Sequence, residues 1–319
     1  MSQLYLEEGI KQLVSEFIAA GCPSVREQSI EQRRQGYIAS TVLAGEPEEV
    51  FEVRAISIDG AELTLFKPSA ADNLPIVIYY HGGCFVSGGV ETHNQQLRKL
   101  ANDSGALVIA VRYRLAPEHV YPAAHDDACH AAEVIYQHCH QWGGDNTKIT
   151  LMGDSAGGHL ALVTCLRLKA KGQWLPQKQV LIYPMLDATA KSQSYSDNGE
   201  KYIITRDTLL TGFDLYLDWH PRTDAEASPL RRDDLAGLPE THIITAEFDP
   251  LVDEGEQLFR NLLEAGVNAH CRRYLGVIYG PIRFARHSIA ILRRVHCTHI
   301  FGLLLRYSSG PDGYLLLLS

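Results

Sequence analysis

Residues Gly153-Asp154-Ser155-Ala156-Gly157-Gly158 hold one hydroxyl among small neighbours, between the apolar run Ile149 to Met152 and an apolar helical stretch from Leu160 to Leu168. A serine hydroxyl becomes a useful nucleophile when a sharp strand-to-helix turn projects it above a sheet, and flanking glycines relieve the crowding of that turn. The helix N-terminus behind it directs N–H groups at an oxyanion forming beside the serine. A glycine-rich helix start has the same letters. The preceding strand and the following helix distinguish the two readings.

Two further segments could complete such chemistry. His81-Gly82-Gly83 follows the apolar run Ile76 to Tyr80. Adjacent residues without Cβ atoms let backbone N–H groups approach a carbonyl closely, so Gly82 and Gly83 can join Ala156 as oxyanion donors. His81 is read as holding the loop by hydrogen bonding. Asp249, in Asp249-Pro250-Leu251-Val252-Asp253-Glu254, follows the run His242 to Ala246. An acid there can orient and support a histidine. It can equally cap the helix that follows, with Asp253 and Glu254 as first-turn charges.

These segments need a scaffold. Apolar positions at Leu4, Ile10, Leu13, Val14, Phe17 and Ile18 predict a helix over residues 4–19. Val50 to Ile58 and Ala61 to Phe66 alternate around Asp59-Gly60, which predicts a hairpin and an antiparallel start. Short apolar runs follow at 76–80, 106–111, 149–152, 180–183 and 242–246, most of them separated by helix-sized segments. Strands apolar on both faces and alternating with helices require a mostly parallel sheet covered on both sides, so the fold class is α/β. Residues 1–45 read as an N-terminal helical cap segment and 46–319 as the main domain. The interval 185–235 interrupts the rhythm as a cap insertion.

Taken together, His81-Gly82-Gly83, Tyr113-Arg114-Leu115-Ala116-Pro117-Glu118 with Tyr121-Pro122-Ala123-Ala124 and Asp126-Asp127, the Ser155 segment and the Asp249 segment resemble the hormone-sensitive-lipase-like family of α/β-hydrolase carboxylesterases. The resemblance runs from about residue 50 to 280. It implies a serine esterase with a helical cap that cuts small esters of short-chain acids without a cofactor. It also implies Ser155 and Asp249 as triad members, Gly82, Gly83 and Ala156 as the oxyanion hole, and Asn198 to Tyr202 near the cap and acyl pocket.

Two positions depart from that pattern. Cys84 stands where the family's glycine loop has a third glycine. In Tyr274-Leu275-Gly276-Val277-Ile278-Tyr279-Gly280-Pro281 the family's histidine position is Tyr279. A phenol with a pKa near 10 cannot take and return a proton as an imidazole near 6.5 does. His287 is the histidine close enough in sequence to replace it, ahead of His296 and His299. The same broad family resembles the plant gibberellin receptors, in which the triad histidine is lost. The alternative reading is therefore a catalytically impaired ligand-binding protein on a hydrolase fold. A metal-dependent hydrolase ranks third, because no HExxH-type spacing appears.

Residues 281–319 carry five Arg, one Asp and neither Lys nor Glu, an abrupt shift that suggests a reading-frame change or a foreign C-terminus, though a natural basic tail has the same look. The whole chain has 319 residues, 45% hydrophobic and 21% charged, with a net charge of −9. Such a chain is globular and repels polyphosphate, so nucleic acid is not an expected partner. Seven cysteines without CxxC spacing are read as free thiols. The terminal LLLL run is too short for a membrane span, and the N-terminus does not read as a secretion signal, which points to the cytoplasm. The expected partner is a small ester, with a homodimer left open, and no metal or cofactor is expected.

Overall fold

The computed structural model describes residues 5–21, 23–200 and 202–280. The chain begins with helices α1 (Glu8–Ala19) and α2 (Ile30–Ala39), followed by the hairpin β1 (Glu52–Ile58) and β2 (Ala61–Lys67). Then come β3 (Leu74–Tyr80), α3 (Val90–Ser104), β4 (Leu107–Val111), α4 (Ala123–His138), β5 (Gly144–Asp154) and α5 (Ala156–Lys171). The remainder is β6 (Lys178–Ile182), α6 (Gln193–Asn198), α7 (Arg206–Leu217), β7 (Glu240–Phe248), α8 (Val252–Glu264) and β8 (Ala269–Ile278).

The eight strands form one sheet in the order β1-β2-β4-β3-β5-β6-β7-β8. β1 with β2 and β2 with β4 are antiparallel, and every later pair is parallel. This is the α/β-hydrolase architecture, with helices around a mostly parallel sheet and an antiparallel start. All five residues of β4 are buried, whereas edge strand β1 mixes half-buried with exposed positions. The continuous apolar run of β4 thus reflects cover on both faces. Each such fully buried aliphatic side chain contributes about 1.5–3 kcal/mol, so Ile109→Ala in mid-strand costs about 2–5 kcal/mol.

The helix behind the serine is buried on nearly every side: Ala156 to Leu166 and Leu168 are all inside, with α5 packed on β3, β5, β6 and α4. A helix apolar all round belongs in a core. α8 instead has one apolar face, with Val252, Leu258 and Leu262 buried on the sheet. The N-terminal helix starts at Glu8, later than its periodicity suggests. α2 falls inside the 1–45 segment expected to be helical, without bounds of its own in that expectation, and none of its residues is fully buried. A capping box starts it: Gln32 N–H donates to the Ser29 hydroxyl at 3.2 Å and Ser29 N–H donates to Gln32 Oε1 at 2.8 Å.

The last strand also departs from expectation. β8 continues past Tyr274 to Ile278, and after a register shift at β7 its Ile278 pairs with Phe248. Asp249 and Tyr279 therefore leave adjacent parallel strands side by side. Among the described residues no helix is long and apolar enough to cross a membrane.

Candidate active site

Ser155 sits at the turn between β5 and α5 with φ 57° and ψ −117°. For a residue with a Cβ this conformation costs about 1–3 kcal/mol, so surrounding bonds must hold it. Ser155 N–H donates to the Ile182 carbonyl at 2.8 Å, and the Ser155 carbonyl accepts from His159 N–H at 3.0 Å and Met185 N–H at 3.2 Å. Gly157 has to be glycine, because a Cβ there would overlap the Tyr80 backbone. The Ser155 side chain is fully buried, and its Oγ has no hydrogen-bond partner among the described residues.

The glycine loop after β3 is built around Asp154. Its carboxylate accepts from Gly82 N–H at 2.8 Å and from the Tyr79 hydroxyl at 2.9 Å, with His93 Nε2 at 3.2 Å. This changes the expected oxyanion set, because the Gly82 N–H faces Asp154 and is not available to a substrate. Gly82 is a glycine for close packing, since a Cβ would overlap the Asp154 carboxylate. Gly83, at φ 135°, has no room for a Cβ beside Ser87. The N–H groups of Gly83 and Ala156 meet no acceptor among the described residues. Asp154 is visible in the sequence as part of the serine segment, but its partner in the loop is far away in the chain.

His81 is buried, with Nδ1 3.0 Å from the Gly82 carbonyl and its ring stacked on Tyr113 at 4.2 Å. Burial, with His93 beside it, lowers its pKa to about 4, so it is neutral. Tyr113 donates its hydroxyl to the His81 carbonyl at 2.7 Å, and Arg114 makes a forked pair with Asp127. Arg34 on α2 donates to the carbonyls of Val86 at 2.9 Å and Ala116 at 3.0 Å and pairs with Glu118 at 2.7 Å. Three segments distant in sequence thereby fix the loop. The capping box of α2 is the available sequence signal for the contribution of Arg34.

Asp249 follows β7 and is fully buried; its Oδ1 accepts from Leu251 N–H at 2.8 Å, and Oδ2 has no partner among the described residues. Burial pushes its pKa up to about 8, partly opposed by the Leu251 N–H. Glu254 does lie in the first turn of α8, where it is buried and accepts from the Leu186 N–H at 2.5 Å and the Asp187 N–H at 3.0 Å. It holds the segment after β6. Asp253 accepts from Ser194 N–H at 2.8 Å, and Asn198 donates to the Asp249 carbonyl at 3.2 Å.

Tyr279 is buried, with its ring 4.7 Å from that of Tyr183. Burial first, then Cys84, Tyr183 and Asp154, raise its phenol well above 10, while the nearby Ser155 hydroxyl opposes the rise. It cannot serve as a base at neutral pH. His159, one turn beyond Ser155, is engaged elsewhere: Nδ1 lies 2.7 Å from the Met185 carbonyl, and Nε2 lies 2.9 Å from His125 Nε2. Among the described residues no histidine meets Ser155 Oγ or Asp249 Oδ2. His287, His296 and His299 lie outside the described residues.

A cavity of about 660 Å³ opens over this region, lined by Gly83, Cys84, Ser87 and Tyr279 on one side and by residues of α1, α2 and α7 on the other. Gly199 and Glu200, in the run expected near the acyl pocket, also line it. Cys84 carries its side chain at φ 55°, and Gly212 of α7 packs so closely that a Cβ there would overlap it. The cysteines at 84, 129, 139, 165 and 271 carry thiols and form no disulfide. The one group of metal-ligand types found among the described residues, Glu240, His242 and His270, has its ligand atoms within 4.8 Å of one another. It lies at the start of β7, the end of the strand remote from Asp249.

A family model for the α/β-hydrolase fold matches residues 77–282. The carboxylesterase NlhH of Mycobacterium tuberculosis is 35% identical over 255 residues, covering 75% of this chain and 77% of that protein. An ethyl acetate hydrolase of Pseudomonas putida is 33% identical over 79% of this chain and 83% of its own length. Among solved structures, an esterase of Pyrobaculum calidifontis covers 96% of this chain at 35% identity and a TM-score of 0.86, the whole of that chain being matched. An ester hydrolase from the Lake Arreo metagenome covers 95% at 32% identity and a TM-score of 0.90, again with its whole chain matched. Sheet order, serine turn, family match and relatives agree, and the chain belongs to the hormone-sensitive-lipase-like family of α/β-hydrolase carboxylesterases.

Proposed function

We propose that this chain is a serine carboxylesterase that cleaves short-chain acyl esters through an acyl-enzyme. The observation that carries the reading is a pair of buried oxygens without a hydrogen-bond partner among the described residues, Ser155 Oγ and Asp249 Oδ2, at the carboxyl ends of β5 and β7. Buried polar atoms are rarely left without a partner, and orphans mark sites that await another group. An imidazole with two ring nitrogens is the group that would serve a hydroxyl and a carboxylate at once.

In this mechanism Ser155 Oγ attacks the ester carbonyl carbon and its proton passes to a histidine. Asp249, as carboxylate, stabilises the imidazolium. The N–H groups of Gly83 and Ala156 receive the oxyanion, and Gly82 supports them through Asp154. Collapse expels the alcohol, which takes the proton from the imidazolium. Water then cleaves the acyl-enzyme by the same steps. Tyr279 stands where the family's histidine would stand, so His287 is the candidate base; without a histidine, only weak turnover is expected. The ethyl acetate hydrolase among the relatives favours small acyl groups.

The test is hydrolysis of p-nitrophenyl acetate, butyrate and octanoate by the purified chain and by its Ser155→Ala and His287→Ala variants. The proposal expects turnover that is fastest on the two shorter esters and lost in Ser155→Ala, and loss in His287→Ala assigns the base. Turnover that survives in Ser155→Ala contradicts the serine mechanism.

A further inference from the structure

Two consecutive arginines on α2 have opposite surroundings. Arg34 is fully engaged by Glu118 and two carbonyls. The Arg33 guanidinium has neither an acceptor nor a carboxylate partner among the described residues, yet Arg33 is half-buried and lines the cavity with Gly83, Cys84 and Tyr279. Adjacent helical positions lie about 100° apart, so one arginine can serve the fold while the other faces the cavity. Around Arg33 the cavity is mostly apolar, with Leu13, Phe17, Tyr37 and Ile203 in its wall. Of the other charged side chains there, Asp207 is held by Arg26 at 2.8 Å, Arg206 adds a second cation and Glu200 is the remaining acid.

A guanidinium taken partly out of water without an anion is costly, and burial lowers the Arg33 pKa with only Cys84 opposing. Its planar fork of donors matches a carboxylate. We propose that Arg33 forms an anion subsite of the ester cavity and that the chain prefers monoesters bearing a free carboxylate over neutral esters of the same length. This deepens the esterase reading and rests on it for the identity of the cavity. The apolar wall takes the hydrocarbon part of the substrate and Arg33 takes its charged end.

Monoethyl succinate and ethyl butyrate test this, because they differ mainly in a carboxylate replacing a methyl group. Binding is titrated calorimetrically in Ser155→Ala, in which the bound ester stays intact, and turnover is followed by pH-stat in the unmodified chain. Monoethyl succinate is expected to bind about tenfold more tightly, the worth of one charge-assisted hydrogen bond. Arg33→Leu and Arg33→Gln should bring the two affinities together, and Arg33→Lys should restore part of the difference. Equal affinities in the chain that keeps Arg33, a preference that survives Arg33→Leu, or binding of neither ester would overturn the subsite. Anion-selective binding with no turnover of either ester leaves the subsite standing and overturns the esterase reading. Turnover of ethyl butyrate without anion preference does the reverse.

Discussion

The two sides of Ser155 are completed to different degrees. On the oxyanion side, Asp154 receives Gly82 and Tyr79, Arg34 pins the following loop, and Gly83 and Ala156 present N–H groups with no acceptor among the described residues. On the base side, Ser155 Oγ and Asp249 Oδ2 have no partner among the described residues, and the neighbouring position holds a phenol that burial makes less acidic. A preorganised oxyanion site costs nothing further at the moment of reaction. Proton transfer needs a group whose pKa lies near working pH, and a buried tyrosine is far from it. The contrast shows that the oxyanion side can be held by the described residues alone while the base side finds no imidazole among them.

The largest expected effect comes from placing an imidazole at position 279. Tyr279→His should raise kcat/KM on p-nitrophenyl butyrate by about 10²–10⁴-fold, the usual contribution of a positioned general base. A gain under about threefold would break the contrast. Next comes the satisfied side. Asp154→Ala strands the Gly82 N–H and the Tyr79 hydroxyl in the core, and urea unfolding should report a loss of about 3 kcal/mol or more. A loss below about 1 kcal/mol would mean that the loop does not depend on this carboxylate.

A smaller effect follows from the buried acids. Asp249 and Glu254 both have pKa values raised to about 8 by burial, against about 4 in an unfolded chain. Between those values the folded chain keeps protons that the unfolded chain releases, so stability is greatest at the acid end and falls as pH rises toward 8. Asp249→Asn should flatten the decline of Tm over pH 5–8, with Glu254→Gln flattening the rest; an unchanged slope in both would contradict these environments. The smallest effect concerns α7. Gly212→Ala pushes on Cys84 and should lower kcat/KM several-fold, and Cys84→Gly in the same chain should recover most of it. Additive losses would show that α7 does not bear on the glycine loop.

Much of this arrangement is readable in the sequence because glycine has few substitutes in tight turns. The glycines around Ser155 and at 82–83 mark close approaches of backbone to backbone or to a carboxylate, and the apolar runs mark covered strands. What stays hidden depends on partners far apart in the chain. Nothing local says that the Asp154 carboxylate takes the Gly82 N–H, so a local reading places Gly82 in the oxyanion hole. Glu254 reads only as a first-turn charge, because its acceptor role is set by the loop after β6. α2 lacks an apolar stripe, and its Ser29 and Gln32 capping pair is the one local sign of it.

The most direct test of the account is a double-mutant cycle between positions 279 and 249, measured as kcat/KM against pH. With Tyr279→His in place, the rate should follow a group titrating near about pH 6–7, and adding Asp249→Asn should abolish most of the gain. If Tyr279→His gives the same gain with and without Asp249→Asn, the imidazole does not bridge Ser155 and Asp249, and the proposed site is wrong.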